Sequence, residues 1–163
     1  MREDNLKNWD TIFGSSFFDE IESILKLDDK FENFKQNEIF RIVIGNDVRS
    51  KEISDKVYKI IKKQNPDLLK NKSLLDNDLY GGPKIYNYDG LDISPGTLYF
   101  IMILSDLKKY FGDLSDKNII EIGGGYGGQA KIVTDYGCKS YTLIDVEPTI
   151  YLARKYLSYL IKM

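Results

Sequence analysis

Asn118-Ile-Ile-Glu-Ile-Gly-Gly-Gly-Tyr-Gly-Gly-Gln129 is the stretch whose reading decides the fold. An apolar run of Ile119, Ile120 and Ile122 leads into five glycines within positions 123 to 128, and residues that favour helix follow. The order is strand, tight turn, helix. Such a turn gathers unpaired backbone N–H groups and the positive end of a helix dipole at one point, where a negatively charged or polar ligand binds. The near-continuous isoleucines predict a buried parallel strand.

Downstream, the pattern predicts a helix from about Gly127 to Asp135 with Gly137 as its C-terminal cap. A second strand lies within Ser140-Tyr-Thr-Leu-Ile-Asp-Val-Glu147, and Pro148 opens a helix. Its paired stripe is Leu152 and Ala153, Tyr156 and Leu157, Leu160 and Ile161. Two successive βα units imply a right-handed parallel crossover, the opening half of a doubly wound sheet.

Upstream, Ser94-Pro95 marks the start of an apolar helix carrying Leu98, Ile101, Met102, Leu104 and Phe111, and Gly112 is placed to end it. This helix is expected to pack against the sheet that begins at Asn118. Between residues 76 and 96 the texture is turn residues and tyrosines, with Asp89-Gly90 as a hairpin signal and Tyr86 and Tyr88 on one face. Those two tyrosines are candidates to stack on a sugar or aromatic substrate, with core covering as the alternative. Residues 1 to 75 read as helical. Phe17, Phe18, Ile21, Ile24 and Leu25 form one stripe, and Phe31, Phe34, Ile39, Phe40 and Val43 suggest a second helix or two short ones. Ser50 is placed to cap a third helix, with stripe Ile53, Val57, Ile60 and Ile61, that Pro66 stops. The expected organisation is therefore a helical region 1–75, a Tyr/Gly-rich loop or hairpin 76–96, and a helix plus partial sheet domain 97–163.

The totals narrow the function classes. At 163 residues with 42% hydrophobic content, the chain holds one core of ordinary size. Twenty-three basic and 25 acidic side chains leave no long-range field to draw the protein to nucleic acid or an anionic membrane. The lone Cys138, the polar Met-Arg-Glu-Asp-Asn start and the absence of a long apolar run give a cytoplasmic expectation with no membrane span. Histidine is absent, so acid-base chemistry would fall to carboxylates, lysine or tyrosine, and no metal site is expected.

Two ligand classes satisfy the glycine letters. Gly123-x-Gly125-x-x-Gly128 matches the dinucleotide fingerprint, with Asp145 twenty residues after Gly125 where a ribose-binding acid belongs. Glu121-x-Gly123-x-Gly125-x-Gly127 equally resembles the first motif of S-adenosylmethionine-dependent methyltransferases. Glu121 separates them on electrostatic grounds. A carboxylate about 6 Å from a pyrophosphate charge repels it by roughly 3 kcal/mol at an effective dielectric near 20. The same carboxylate attracts an ammonium and complements a sulfonium. Purely structural roles remain as alternatives: glycines serving chain geometry, Glu121 as a paired acid, and Asp145 or Glu147 as a helix cap.

Ile93-Ser-Pro-Gly-Thr-Leu98, Leu104-Ser-Asp-Leu107, Tyr110-Phe-Gly112, the Ile119–Gln129 run and Ser140-Tyr-Thr-Leu-Ile-Asp145 together resemble the bacterial sugar O-methyltransferases. The resemblance covers residues from about Tyr80 onward well and the N-terminal helices only loosely. Gly96 departs from the threonine expected there. What the resemblance implies is an α/β fold: an N-terminal helical region, then a Rossmann-like class I methyltransferase sheet. It implies S-adenosylmethionine as cofactor, held by Glu121, Gly123, Gly124, Gly125, Tyr126, Gly127, Asp145 and Val146, with a saccharide or polysaccharide-precursor hydroxyl as acceptor. Tyr86 and Tyr88 stand as substrate-binding candidates, and no catalytic residue is assigned. Such a sheet has seven strands, of which this sequence supplies the first two βα units, so the expectation is a truncated form, inactive alone. Its sheet would be completed by a second chain or by oligomerising. A non-catalytic nucleotide-binding or assembly module and a fragment of an NAD-dependent sugar enzyme are the alternatives.

Overall fold

The computed structural model describes residues 15–38 and 50–160. Helix α1 (Ser15–Lys26) buries Phe17, Ile21 and Ile24, the stripe its spacing predicts. Helix α2 (Asp28–Asn33) and a 3-10 turn (Phe34–Gln36) bury Phe31 and Phe34; Ile39, Phe40 and Val43 lie outside the described residues. Helix α3 (Lys51–Gln64) is capped by Ser50, whose hydroxyl accepts the Ile53 N–H at 3.3 Å, and it buries Val57 and Ile61. Pro66 opens a 3-10 turn (Pro66–Lys70), after which come the single turn α4 (Lys72–Leu75) and a 3-10 turn (Asp76–Asp78).

Strands β1 (Tyr86–Tyr88) and β2 (Leu91–Ile93) form an antiparallel hairpin with Tyr88 opposite Leu91. Asp89 and Gly90 between them both have positive φ, +52° and +85°, as the two-residue turn demands. Helix α5 (Pro95–Phe111) starts where Ser94 accepts the Thr97 N–H at 3.1 Å. It ends at Gly112, whose N–H reaches the Lys108 carbonyl at φ +70°. A cap of this kind contributes about 1 kcal/mol. Here it is reinforced, because the Asp78 carboxylate accepts the Ser94 N–H, the Ser94 hydroxyl and the Thr97 hydroxyl, each at 2.7 Å.

Strand β3 (Asn118–Ile122), helix α6 (Gly128–Tyr136), strand β4 (Ser140–Ile144) and helix α7 (Glu147–Leu160) complete the chain order. Strands β3 and β4 are parallel neighbours in the register Asn118 to Ser140 through Ile122 to Ile144. The architecture is mixed α/β and mostly helical, with a two-stranded parallel sheet and a separate hairpin. Helix α5 packs chiefly on α3 and α6, α1 packs on α7, and α6 packs on β4. One cluster of buried residues runs from Phe17 to Tyr156, so residues on either side of positions 75 and 96 share a core. No described helix is long and apolar enough to cross a membrane.

Two sequence expectations are corrected. Helix α5 finds its main partners in α3 and α6 rather than in the sheet. Among the described residues strand β3 is covered on one face only: Ile119 and Glu121 are half-buried, while Ile120 and Ile122 are 67% and 82% exposed. Ile144 beside Ile122 is 49% exposed. A strand's side chains alternate between faces, and the described helices cover one face of this two-stranded sheet.

Candidate functional site

The glycine turn sits where the two parallel strands end side by side. The ladder runs one residue beyond β3, with the Gly123 N–H donating to the Ile144 carbonyl at 2.8 Å. The chain then closes a turn through the Gly127 N–H and the Gly124 carbonyl, 3.1 Å, and α6 begins as Lys131 N–H reaches the Gly127 carbonyl. The first turn of α6 leaves backbone N–H groups without intrahelical acceptors, beside the positive end of its dipole.

Two of the glycines are required by close approach. A Cβ on Gly124 would lie 2.7 Å from both Glu121 Oε2 and Leu143 Cδ1, so the Glu121 carboxylate is seated directly against the turn. A Cβ on Gly128 would lie 2.4 Å from the Phe100 ring, which lets α6 and α5 pack at that point. The sequence pattern supplies these glycines, and the packing shows their use.

Glu121 is half-buried and receives the Tyr141 hydroxyl at 2.9 Å from the neighbouring strand. Burial pushes its carboxyl above the usual glutamate range, the Tyr141 hydrogen bond opposes that, and the Asp145 charge adds to it. Burial likewise pushes the Tyr141 phenol far up, with the Glu121 charge as the next cause. Asp145, just beyond β4, bridges the two loops. Its Oδ2 accepts the Gly125 N–H at 2.8 Å and its Oδ1 accepts the Val146 N–H at 2.7 Å. Two carboxylates thus face one glycine turn from the ends of adjacent strands.

Gly123, Gly124, Gly125, Gly127, Glu121, Asp145 and Val146 therefore come together. Tyr126 divides: its backbone belongs to the turn, but its side chain is 2% exposed and points into the core. There it meets Phe34, Phe100 and Tyr156 at ring separations of 5.4, 6.1 and 4.9 Å, with Lys35 Nζ 4.9 Å from its ring centre. Tyr86 and Tyr88 belong to the hairpin instead. Tyr88 is buried and stacks on Tyr58 of α3 at 4.7 Å, which is the core-covering alternative, and Tyr86 is half-buried with Lys51 and Lys84 over its ring.

A polar hub beneath the turn carries no local sequence signal. Asn77 is fully buried; its amide donates to Thr97 at 2.8 Å, and its carbonyl accepts Lys35 Nζ at 2.7 Å and the Tyr156 hydroxyl at 2.5 Å. Tyr156 is also the ring against which Tyr126 packs edge-on. Tyr141 likewise carries no motif of its own. Its place two residues before Leu143, on the strand beside Glu121, is the pattern that would have found it.

The donor set is two carboxylates, backbone amides and no soft ligand. Among the described residues no group of three metal-ligating side chains exists. A ligand bearing a cation toward Glu121, vicinal hydroxyls toward Asp145 and a carboxylate toward the α6 N-terminus fits that set. Among the described residues, two open clefts of about 390 and 380 Å³ are lined by Gln64, Asn65, Lys108 and Lys109, and by residues of α3 and the hairpin including Tyr58, Lys62 and Asp89. Neither is lined by a residue of the glycine turn. Compared with protein-family models, curated proteins and solved structures, the chain matches none.

Proposed function

We propose that the glycine turn, Glu121 and Asp145 form the donor-holding side of an S-adenosylmethionine site, on a Rossmann-like sheet of the class I methyltransferase kind. The acceptor in this reading is a saccharide hydroxyl, a class that rests on the family resemblance of residues from about Tyr80 onward. The observation that carries the cofactor reading is the Gly125 N–H, which is already taken by the Asp145 carboxylate at 2.8 Å. A pyrophosphate entering this turn would find that amide occupied and two carboxylates against it. A ligand with an ammonium and a sulfonium meets complementary charge instead.

Each residue then has a defined part. Glu121 Oε2, seated against Gly124, faces the cationic end of the ligand. Asp145 has lone pairs left after its two amide bonds and accepts from the ribose hydroxyls. The first turn of α6 receives the ligand's carboxylate. When bound, S-adenosylmethionine supplies a methyl group already activated by its positive sulfur. The protein's remaining work is to align an acceptor oxygen and take its proton, and neither Glu121 nor Asp145 is placed in that role.

Calorimetric titration with S-adenosylmethionine, S-adenosylhomocysteine and NAD tests the reading. Binding of the two adenosyl amino acids, weakened in Glu121→Gln, is expected. Binding of NAD with no response to either methyl-cycle compound would overturn it.

A further inference from the structure

Glu121 does not hold itself in place. Its carboxylate is reached by Tyr141, which donates from β4 to Oε2 at 2.9 Å. In the parallel register Glu121 lies opposite Leu143 and Tyr141 opposite Ile119, so the pair is diagonal on the half-buried face. Phenol and carboxylate are therefore fixed by two backbones already hydrogen-bonded to each other. The same Glu121 oxygen and the Leu143 side chain each lie 2.7 Å from where a Gly124 Cβ would stand, so the turn closes against the carboxylate. Among the described residues the titratable groups facing the pair are Asp145 beyond β4, whose charge acts on Glu121, and Cys138 before β4, whose thiol burial pushes up and keeps neutral. On α6, packed against β4, Lys131 and Asp135 are ion-paired with each other at 2.7 Å, and Tyr136 carries Lys108 over its ring at 4.7 Å.

We propose that Tyr141 is the positioning residue of the donor site, a phenol that fixes the rotamer of Glu121 and keeps its carboxylate aimed at the cationic end of the bound donor. The inference rests on the S-adenosylmethionine reading and adds to it a residue outside the glycine motif. A half-buried carboxylate with a like charge nearby tends to take up a proton, and a neutral acid has nothing to offer an ammonium. The phenol opposes this twice, by donating to the ionised form and by excluding rotamers that turn away from the turn. Glycine letters alone do not make the site; the neighbouring strand must present a donor at this position.

The test is S-adenosylmethionine and S-adenosylhomocysteine binding by calorimetry from about pH 4.5 to 7.5, a window spanning the carboxylate range upward. Wild type, Tyr141→Phe, Glu121→Gln and the double variant are compared, with the Glu121 side-chain carboxyl followed by carbon NMR in the unliganded proteins. In Tyr141→Phe the acid limb of binding and the Glu121 titration are expected to move together to higher pH by about one unit. Plateau affinity should fall roughly five- to tenfold. In the Glu121→Gln background, Tyr141→Phe should change affinity less than twofold, since the partner charge is gone. Uniform weakening at every pH with an unmoved Glu121 titration would mean that Tyr141 serves packing only, and would overturn the proposal. Wild type that binds neither adenosyl compound at any pH would remove the parent reading, and this one with it.

Discussion

Replacing Asp145 by alanine removes two hydrogen bonds whose consequences differ because their donors differ in exposure. The Gly125 amide is buried, so losing its acceptor at 2.8 Å leaves an unsatisfied N–H inside the turn. The Val146 amide lies at an exposed residue, where water replaces the carboxylate. An unsatisfied buried amide costs about 1 to 3 kcal/mol, while the exposed one costs close to nothing. The expected loss of stability is therefore about 2 kcal/mol, or a fall in Tm of roughly 4 to 8 °C for a domain of this size. Asp145→Asn retains one carbonyl oxygen for Gly125 and should lose less than half as much. Donor affinity is a separate readout. Loss of charge-assisted bonds to ribose hydroxyls should weaken S-adenosylmethionine binding by an order of magnitude or more in Asp145→Ala. Differential scanning calorimetry reads the first effect and isothermal titration the second. An unchanged Tm would refute the bridge between the loops, and unchanged affinity would refute the placement of the ribose.

Glu121→Gln should raise the Tm of the unliganded protein at neutral pH while weakening donor binding. The folded carboxyl titrates above its usual value, so its stabilising contribution is full at low pH and is lost as pH rises through the folded pKa. The gain in the variant should accordingly shrink toward pH 4, and a gain independent of pH would contradict the burial of this carboxyl. Gly128→Ala should lower stability by about 1 to 3 kcal/mol, because its Cβ would stand 2.4 Å from the Phe100 ring, and urea unfolding measures this. Ile122→Lys should leave stability within about 0.5 kcal/mol, since the side chain is 82% exposed, yet reduce binding of an apolar dye. A large loss of stability there would mean that the outer sheet face is covered.

The elements with local chemistry were legible. Ser94-Pro95 and Gly112 delimit α5, Ser50 caps α3, Asp89-Gly90 makes the hairpin, and Gly137 ends α6 at φ +111°. Each of these depends on a few adjacent residues whose backbone preferences act alone. What failed depended on neighbours distant in sequence. Ile119, Ile120 and Ile122 read as a buried strand, but which of its faces is covered is decided by which helices lie above and below, and no strand carries that information. Tyr126 sits within the glycine turn, and between Gly125 at φ +58° and Gly127 at φ +86° the chain turns its ring inward. Lys35 meets Asn77 and Tyr156 across separations of 42 and 121 residues, which no local pattern announces. That Glu121 and Asp145 meet at the glycine turn was legible through their spacing, whereas the bond from Asp145 to Gly125 required the two loops to be seen together.

Tyr126 also ties the time course of opening at the glycine turn to elements far from it. Its ring packs on Phe34 in the 3-10 turn after α2 and on Tyr156 in α7, and Lys35 spans both rings. A surface turn with weak anchorage exchanges its amide hydrogens freely through local fluctuations. Here the turn cannot lift without withdrawing a tyrosine from an aromatic cluster that also anchors residues 34 and 35. Its amides should therefore exchange with deuterium in step with those of the first helices, as one cooperative unit. A ligand seated on the turn would slow exchange in both places, about ninety residues apart along the chain.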